Sequence, residues 1–191
     1  VVNVSMNVSR IHLQSIDEMV SYVKSLLQRY EIPPEYLEFE LTETISTERV
    51  EDTIEMLTKL HELGVKVSMD DFGSGYSSLN VLKDIELDII KLDMLFLSKE
   101  NENTRGGTII SSGVRMAKWL DMPIIAEGVE SVEQADYLRS IGCNYIQGYL
   151  YSRPLPEESY EELLSGSETG YKVAQFQLLE ALDANNFWSP K

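Results

Sequence analysis

Polar and apolar residues alternate from the start of the chain. Over Val1 to Ser9, Val4, Met6 and Val8 fall on one face and Asn3, Ser5 and Asn7 on the other, which predicts a strand with one polar face. The period then changes. Met19, Val23, Leu26 and Leu27 recur at helical spacing behind Ser15-Ile16-Asp17-Glu18, a capping-box pattern, and Pro33-Pro34 is expected to close this helix. Leu37 to Thr42 alternates again, with Leu37, Phe39 and Leu41 opposite Glu38, Glu40 and Thr42. Glu48 to Leu63 follows as an amphipathic helix stopped by Gly64, and Val65 to Asp70 as a third strand. The same unit then repeats: Ser77 to Ile85 (helix), Leu87 to Asp93 (strand, with Lys91), Gly107 to Leu120 (helix), Met122 to Glu127 (strand) and Val132 to Ile141 (helix). Asn144 to Tyr149, a strand carrying Gln147, and Glu157 to Leu164, a helix, complete six strand–helix units.

Strands and helices alternating at this spacing predict an α/β protein with parallel strands. Polar residues stand at the C-terminal ends of nearly every strand, which favours a (β/α)8 TIM-type barrel, whose active site draws on many strand ends. An open sheet would concentrate its ligand groups at one switch point, and no GxGxxG loop occurs. A complete barrel typically needs about 250 residues. Six of the eight units are therefore expected here, with the shortage before Val1, where the sequence opens inside a strand. The first strand should then expose apolar groups and an unpaired edge.

Composition narrows the partners. The 191 residues are 43% hydrophobic and 25% charged, as in an ordinary globular domain. Sixteen basic residues against 32 acidic ones give a net charge of -16, which argues against DNA or RNA polymers and anionic membranes. A phosphate ligand would need local cations or metal. The single cysteine, Cys143, cannot form an intrachain disulfide, and no apolar run approaches about 20 residues. A cytoplasmic location is expected, or the cytoplasmic part of a larger membrane-attached protein.

The densest chemistry lies in Val67 to Leu79, VSMDDFGSGYSSL. Asp70 and Asp71 end a strand side by side, where they repel and resist desolvation, so a cation is expected near them. An Asp-rich turn before a helix is the plainer alternative. Strand parity sets Asn7, Glu40 and Asp70 on one side, away from apolar neighbours that point toward helices. These oxygen donors suit a hard cation such as Mg²⁺ or Mn²⁺, and no imidazole or thiolate cage selects zinc. His12 and His61 fall in helical segments, where surface or packing roles are expected. Lys91 is explained as well by an ion pair with Asp93 or Asp70 as by catalysis.

The stretches SMNVSR, LEFELTET, VSMDDFGSGYSSL, DIIKLD, IIAEGVES and YIQGYLYSRPL, in this order over about residues 1 to 166, resemble the EAL domain family. The resemblance implies metal-dependent hydrolysis of cyclic di-GMP to linear pGpG at a two-metal Mg²⁺ or Mn²⁺ site on a (β/α)8 barrel. It implies that Asn7, Glu40 and Asp70 ligate one metal and Asp71 the second. Glu127 corresponds to the general base, Lys91 to a lysine contacting water and phosphate, and Gln147 to a water-positioning glutamine. Arg153 is a candidate phosphate or guanine contact. Gly73, Ser74 and the residues to Ser78 resemble a loop linking the metal site to homodimerisation, and Glu130 the glutamate that anchors that loop.

The family's name-giving Glu-Ala-Leu strand, with a metal-ligand glutamate and a nearby substrate-binding arginine, is expected upstream of this sequence. Glu180-Ala181-Leu182 spells the motif in a helical-looking tail and is read as a decoy. Residues 167 to 191 match no part of the family core and read as a linker or helical extension, with sensor or other signalling domains expected in a longer chain. The alternative is a degenerate EAL domain serving as a cyclic di-GMP receptor without turnover, or as a partner-binding module.

Overall fold

The computed structural model describes residues 3–10, 12–42, 49–73, 82–93 and 105–165. The chain forms two compact units, Val1–Asp93 and Met94–Lys191. In the first, β1 (Val4–Asn7), β2 (Leu37–Thr42), β3 (Lys66–Asp70) and β4 (Ile89–Asp93) pair in chain order, every pair parallel. Parallel neighbours need crossover connections. Helices α1 (Ile16–Arg29) and α2 (Val50–Glu62) lie in the first two crossovers, and residues 82–84 are helical in the third. The second unit holds α3 (Arg105–Trp119), β5 (Ile124–Glu127), α4 (Val132–Ile141), β6 (Tyr145–Ile146) and α5 (Glu157–Leu164), with β5 and β6 parallel.

The apolar parity class of each strand in the first unit forms its core. Phe39, Leu41, Val67, Met69, Ile90 and Leu92 are buried, as are Ile16, Val23 and Leu27 of α1 and Met56, Leu57 and Leu60 of α2. Val4 and Met6 of β1 belong to the same class, yet they are 58% and 51% exposed, as expected for the first strand. No helix among the described residues is long and apolar enough to cross a membrane.

Helix ends are where the sequence misleads. Ser15 does stand at the N-cap of α1, but its side chain makes no capping bond. The 3₁₀ turn His12–Gln14 runs straight into the helix and leaves Ser15 at ψ 54°, short of the extended ψ that carries a cap hydroxyl over the first free N–H groups. The capping box forms instead at α4. There the Ser131 Oγ accepts from the Gln134 N–H at 3.3 Å and the Gln134 Oε1 accepts from the Ser131 N–H at 3.1 Å, an arrangement worth about 1 kcal/mol.

Helix α1 also stops at Arg29, before Pro33 is reached. The Ile32 N–H reaches back to the Leu27 carbonyl at 3.0 Å while Glu31 adopts φ 51°, a Schellman turn built without glycine. The same turn ends α2 through Gly64, at φ 82°, and α3 through Asp121, at φ 56°. Strand β6, expected to reach Tyr149, ends at Ile146 because the following residues bond to the loop after β5.

Candidate functional site at the strand ends

In the first unit the site is built by register. Asn7 lies opposite Glu40, Glu40 opposite Ser68, Thr42 opposite Asp70, and Ser68 opposite Ile89. Neighbours in register share a face of a parallel sheet, and every second residue joins them. One face therefore carries Ser5 and Asn7, then Glu38, Glu40 and Thr42, then Lys66, Ser68 and Asp70, then Lys91 and Asp93. Asn7, Asp70 and Asp93 are the last residues of their strands.

Lys91 is buried at 3% exposure and pairs with Glu40, itself 8% exposed. Glu40 is a partner beyond the Asp93 and Asp70 that the sequence suggests. Strands β2 and β4 are separated by β3, about 10 Å apart at ordinary strand spacing, so the pair must span the middle strand. On that middle strand Ser68, in register with Glu40, is small and fully buried. Both the Ser68 Oγ and the Glu38 Oε1 are buried without a hydrogen-bond partner among the described residues. The middle of this face, at Glu38, Glu40, Ser68 and Lys91, is a polar interior, while Asn7 at its edge is exposed.

The turn after β3 is held against β4, since the Phe72 N–H donates to the Lys91 carbonyl at 3.0 Å and the Phe72 ring is buried. Between them Asp71 takes φ 54°, and its N–H donates to the Asp70 Oδ1 at 2.9 Å. Desolvation, then the charges of Asp70 and Asp93, hold the Asp71 carboxyl above its ordinary 3.8. Asp93 thus joins the carboxylate cluster, a role that its parity with Lys91 and its strand-final position could have revealed.

A raised folded pKa means that the native state keeps its proton to higher pH than the unfolded chain does. Stability is therefore lost as pH rises from the unfolded value through the folded one. Without divalent cations, Asp71→Asn is expected to raise Tm at neutral pH and to lose that advantage below pH 3.8. Calorimetry at both pH values checks this. An equal advantage at both would assign the gain to asparagine's tolerance of the left-handed backbone.

The second unit repeats the arrangement. Glu127 ends β5, and Ala126 is in register with Ile146, so Glu127 and Gln147 follow at adjacent positions on the same face. Gly128, at φ 74°, turns the chain so that the Val129 N–H donates to the Gln147 carbonyl at 3.1 Å. The Glu130 N–H donates to the Gln134 Oε1 at 2.8 Å, which ties the loop to the start of α4. The Arg153 guanidinium lies 5.1 Å from the centroid of the exposed Tyr149 ring. Gly73 has open space where a Cβ would stand. Ser74 and the loop that Glu130 is expected to anchor lie outside the described residues.

Among the described residues no three Asp, Glu, His or Cys side chains are gathered closely enough to hold a metal ion as they stand. The donor chemistry nonetheless fits a hard divalent cation. Asn7, Glu40, Asp70, Asp71 and Asp93 can each offer oxygen, and a cation would relieve both the desolvation and the repulsion from Asp70 and Asp93 that raise the Asp71 pKa. Neither histidine belongs to this set. His12 accepts from the Ser9 N–H at 3.0 Å and His61 pairs with Asp88 at 2.9 Å.

Parallel strand–helix units with functional groups at the strands' C-terminal ends define a protein of the (β/α)8-barrel class, with six strands among the described residues. The EAL domain family model matches residues 1–154, and the chain belongs to that family. It is 38% identical over 166 residues to the cyclic di-GMP phosphodiesterase RocR of Pseudomonas aeruginosa, covering 87% of this chain and 42% of RocR. The structure of the MucR phosphodiesterase of P. aeruginosa in complex with c-di-GMP superposes with a TM-score of 0.77 at 34% identity, over 83% of this chain and 70% of that one. A manganese and cyclic di-GMP complex of Klebsiella pneumoniae BlrP1 gives 0.74 at 30%, over 80% of this chain and 39% of that one. The chain spans less than half the length of the curated relatives it matches, 42% of RocR and 20% of the signalling protein YkoW of Bacillus subtilis.

Proposed function

We propose that this chain is the greater part of a metal-dependent phosphodiesterase domain that hydrolyses cyclic di-GMP to linear pGpG. The observation that carries the reading is the polar face of the first unit, where Asn7 stands in register with Glu40 and Asp70 shares their face beside the buried Glu40–Lys91 pair. The phosphodiesterases RocR and MucR, and the manganese in the BlrP1 complex, support it. Asn7, Glu40 and Asp70 would hold one Mg²⁺ or Mn²⁺, and Asp71 a second. Bound there, the metals polarise the phosphodiester and make a water more acidic.

The reaction adds one water oxygen to phosphorus and breaks the bond to a ribose 3′-oxygen, leaving a 5′-phosphate. Glu127 accepts the proton of the attacking water, and Gln147, on the same face, orients it. The Lys91 ammonium offers compact positive charge to the phosphate as negative charge builds there. Arg153, stacked on Tyr149, contacts phosphate or guanine. Residues 1–166 belong to the domain and 167–191 form a linker or extension. The protein works in the cytoplasm as a homodimer, through the loop that begins at Gly73, under the control of sensor domains in a longer chain.

One observation favours a second reading, a cyclic di-GMP receptor without turnover: among the described residues the carboxylates are not gathered into a ligand cage. Calorimetric titration of the full-length protein with Mg²⁺ and Mn²⁺, paired with a product assay for pGpG, separates the two. Metal binding with pGpG formation is expected. Cyclic di-GMP binding without product selects the receptor, and neither binding nor product overturns both readings.

A further inference from the structure

Gly148 follows Gln147 where the chain leaves β6, and it is packed against a peptide group. A Cβ placed on it would lie 2.1 Å from the Val129 carbonyl oxygen, 2.4 Å from the Val129 nitrogen and 2.7 Å from the carbonyl carbon. Cβ contacts below 3.0 Å essentially do not occur, and no flexible side chain is present here to yield. The Gly148 backbone is not left-handed, so alanine could adopt its conformation. Space alone requires glycine at this position.

The close approach sits inside a set of backbone bonds. The Gln147 N–H donates to the Ala126 carbonyl at 2.8 Å, the Val129 N–H to the Gln147 carbonyl at 3.1 Å, and the Leu150 N–H to the Val129 carbonyl at 3.0 Å. The Val129 side chain is fully buried, so the peptide cannot swing outward without exposing it. Glu127 and Gln147 are each within two residues of this clamp. We propose that Gly148 is a positioning residue: by letting the Val129 peptide seat against its Cα, it fixes Glu127 and Gln147 relative to each other. A methyl group there would push the Val129 peptide back by roughly 1 Å, the gap between 2.1 Å and 3.0 Å. Displacements of that size at a catalytic group cost about 100-fold in rate.

The catalytic consequence rests on the phosphodiesterase reading, whereas the clamp does not. The test is Gly148→Ala in the full-length protein, followed by amide hydrogen exchange and by the pH profile of kcat with cyclic di-GMP. The Val129 and Leu150 amides are expected to lose protection while α4 keeps it. With them kcat should fall about 100-fold, KM should change little, and the acidic limb of the profile should move as Glu127 leaves its place. A merely smaller folded fraction would scale the profile without moving it, and that result, or unchanged exchange, overturns the proposal. Should Gly148→Ala fail to fold, replacing Val129 by its α-hydroxy analogue removes the N–H without adding volume. The same loss of protection at Leu150 and the same shifted limb are then expected, and their absence refutes the clamp. A wild-type protein without turnover removes the phosphodiesterase reading and leaves hydrogen exchange to decide the clamp.

Discussion

Replacing Glu127 by glutamine is expected to cut pGpG formation by about 10²–10⁴-fold, the usual contribution of a positioned general base, while cyclic di-GMP binding persists. The amide keeps the volume of the carboxylate at the end of β5, ahead of the loop through Gly128 to the capping box at Ser131. What is lost is an acceptor for the proton of the attacking water. Single-turnover kinetics and a calorimetric Kd measured on the same preparation check both halves. Loss of binding with residual turnover intact would remove Glu127 from the role of base. A receptor would have no wild-type turnover to lose.

The second large effect is on stability. Lys91→Met is expected to destabilise the protein by about 3–5 kcal/mol, because it leaves the Glu40 carboxylate buried and uncompensated. Adding Glu40→Gln to that variant should recover most of the loss, since replacing both members of a buried pair by neutral groups is often close to neutral. Urea unfolding of the wild type, the two single variants and the double variant closes the cycle. Additive effects would mean that the two side chains do not depend on each other. Strong coupling would show that the interior face is held by opposite charges in contact.

Much of this was legible in the chain because a strand's side-chain period is two. Asn7, Glu40 and Asp70 could be set on one side from parity alone, and β2, α4 and α5 run over the residues expected of them. Reach was not legible. That Lys91 meets Glu40 depends on a span over a middle strand, which parity within one strand does not report. Helix ends failed for a related reason. A capping box needs an extended backbone at its serine as well as the right letters, which Ser131 has and Ser15 lacks. The Schellman turns at Glu31 and Asp121 use residues that a glycine search passes over. Asp93 carried its signal in plain view, at the same parity as Lys91.

Asp88 stands at the other end of these strands, remote from the chemistry. Its Oδ2 accepts from the Val67 N–H at 2.7 Å and meets His61 Nε2 of α2 at 2.9 Å, and its own N–H donates to the Val67 carbonyl at 2.9 Å. One side chain therefore stitches a helix to the entry points of two neighbouring strands. A slip of β4 by a single residue would turn Ile90 or Leu92 into the polar interior and drive Lys91 into the apolar layer beneath the helices. Such a slip would break all three of these contacts at once, at the first residues to pair. The alignment of the charges is thus guarded where the strands begin, by a carboxylate that never meets them.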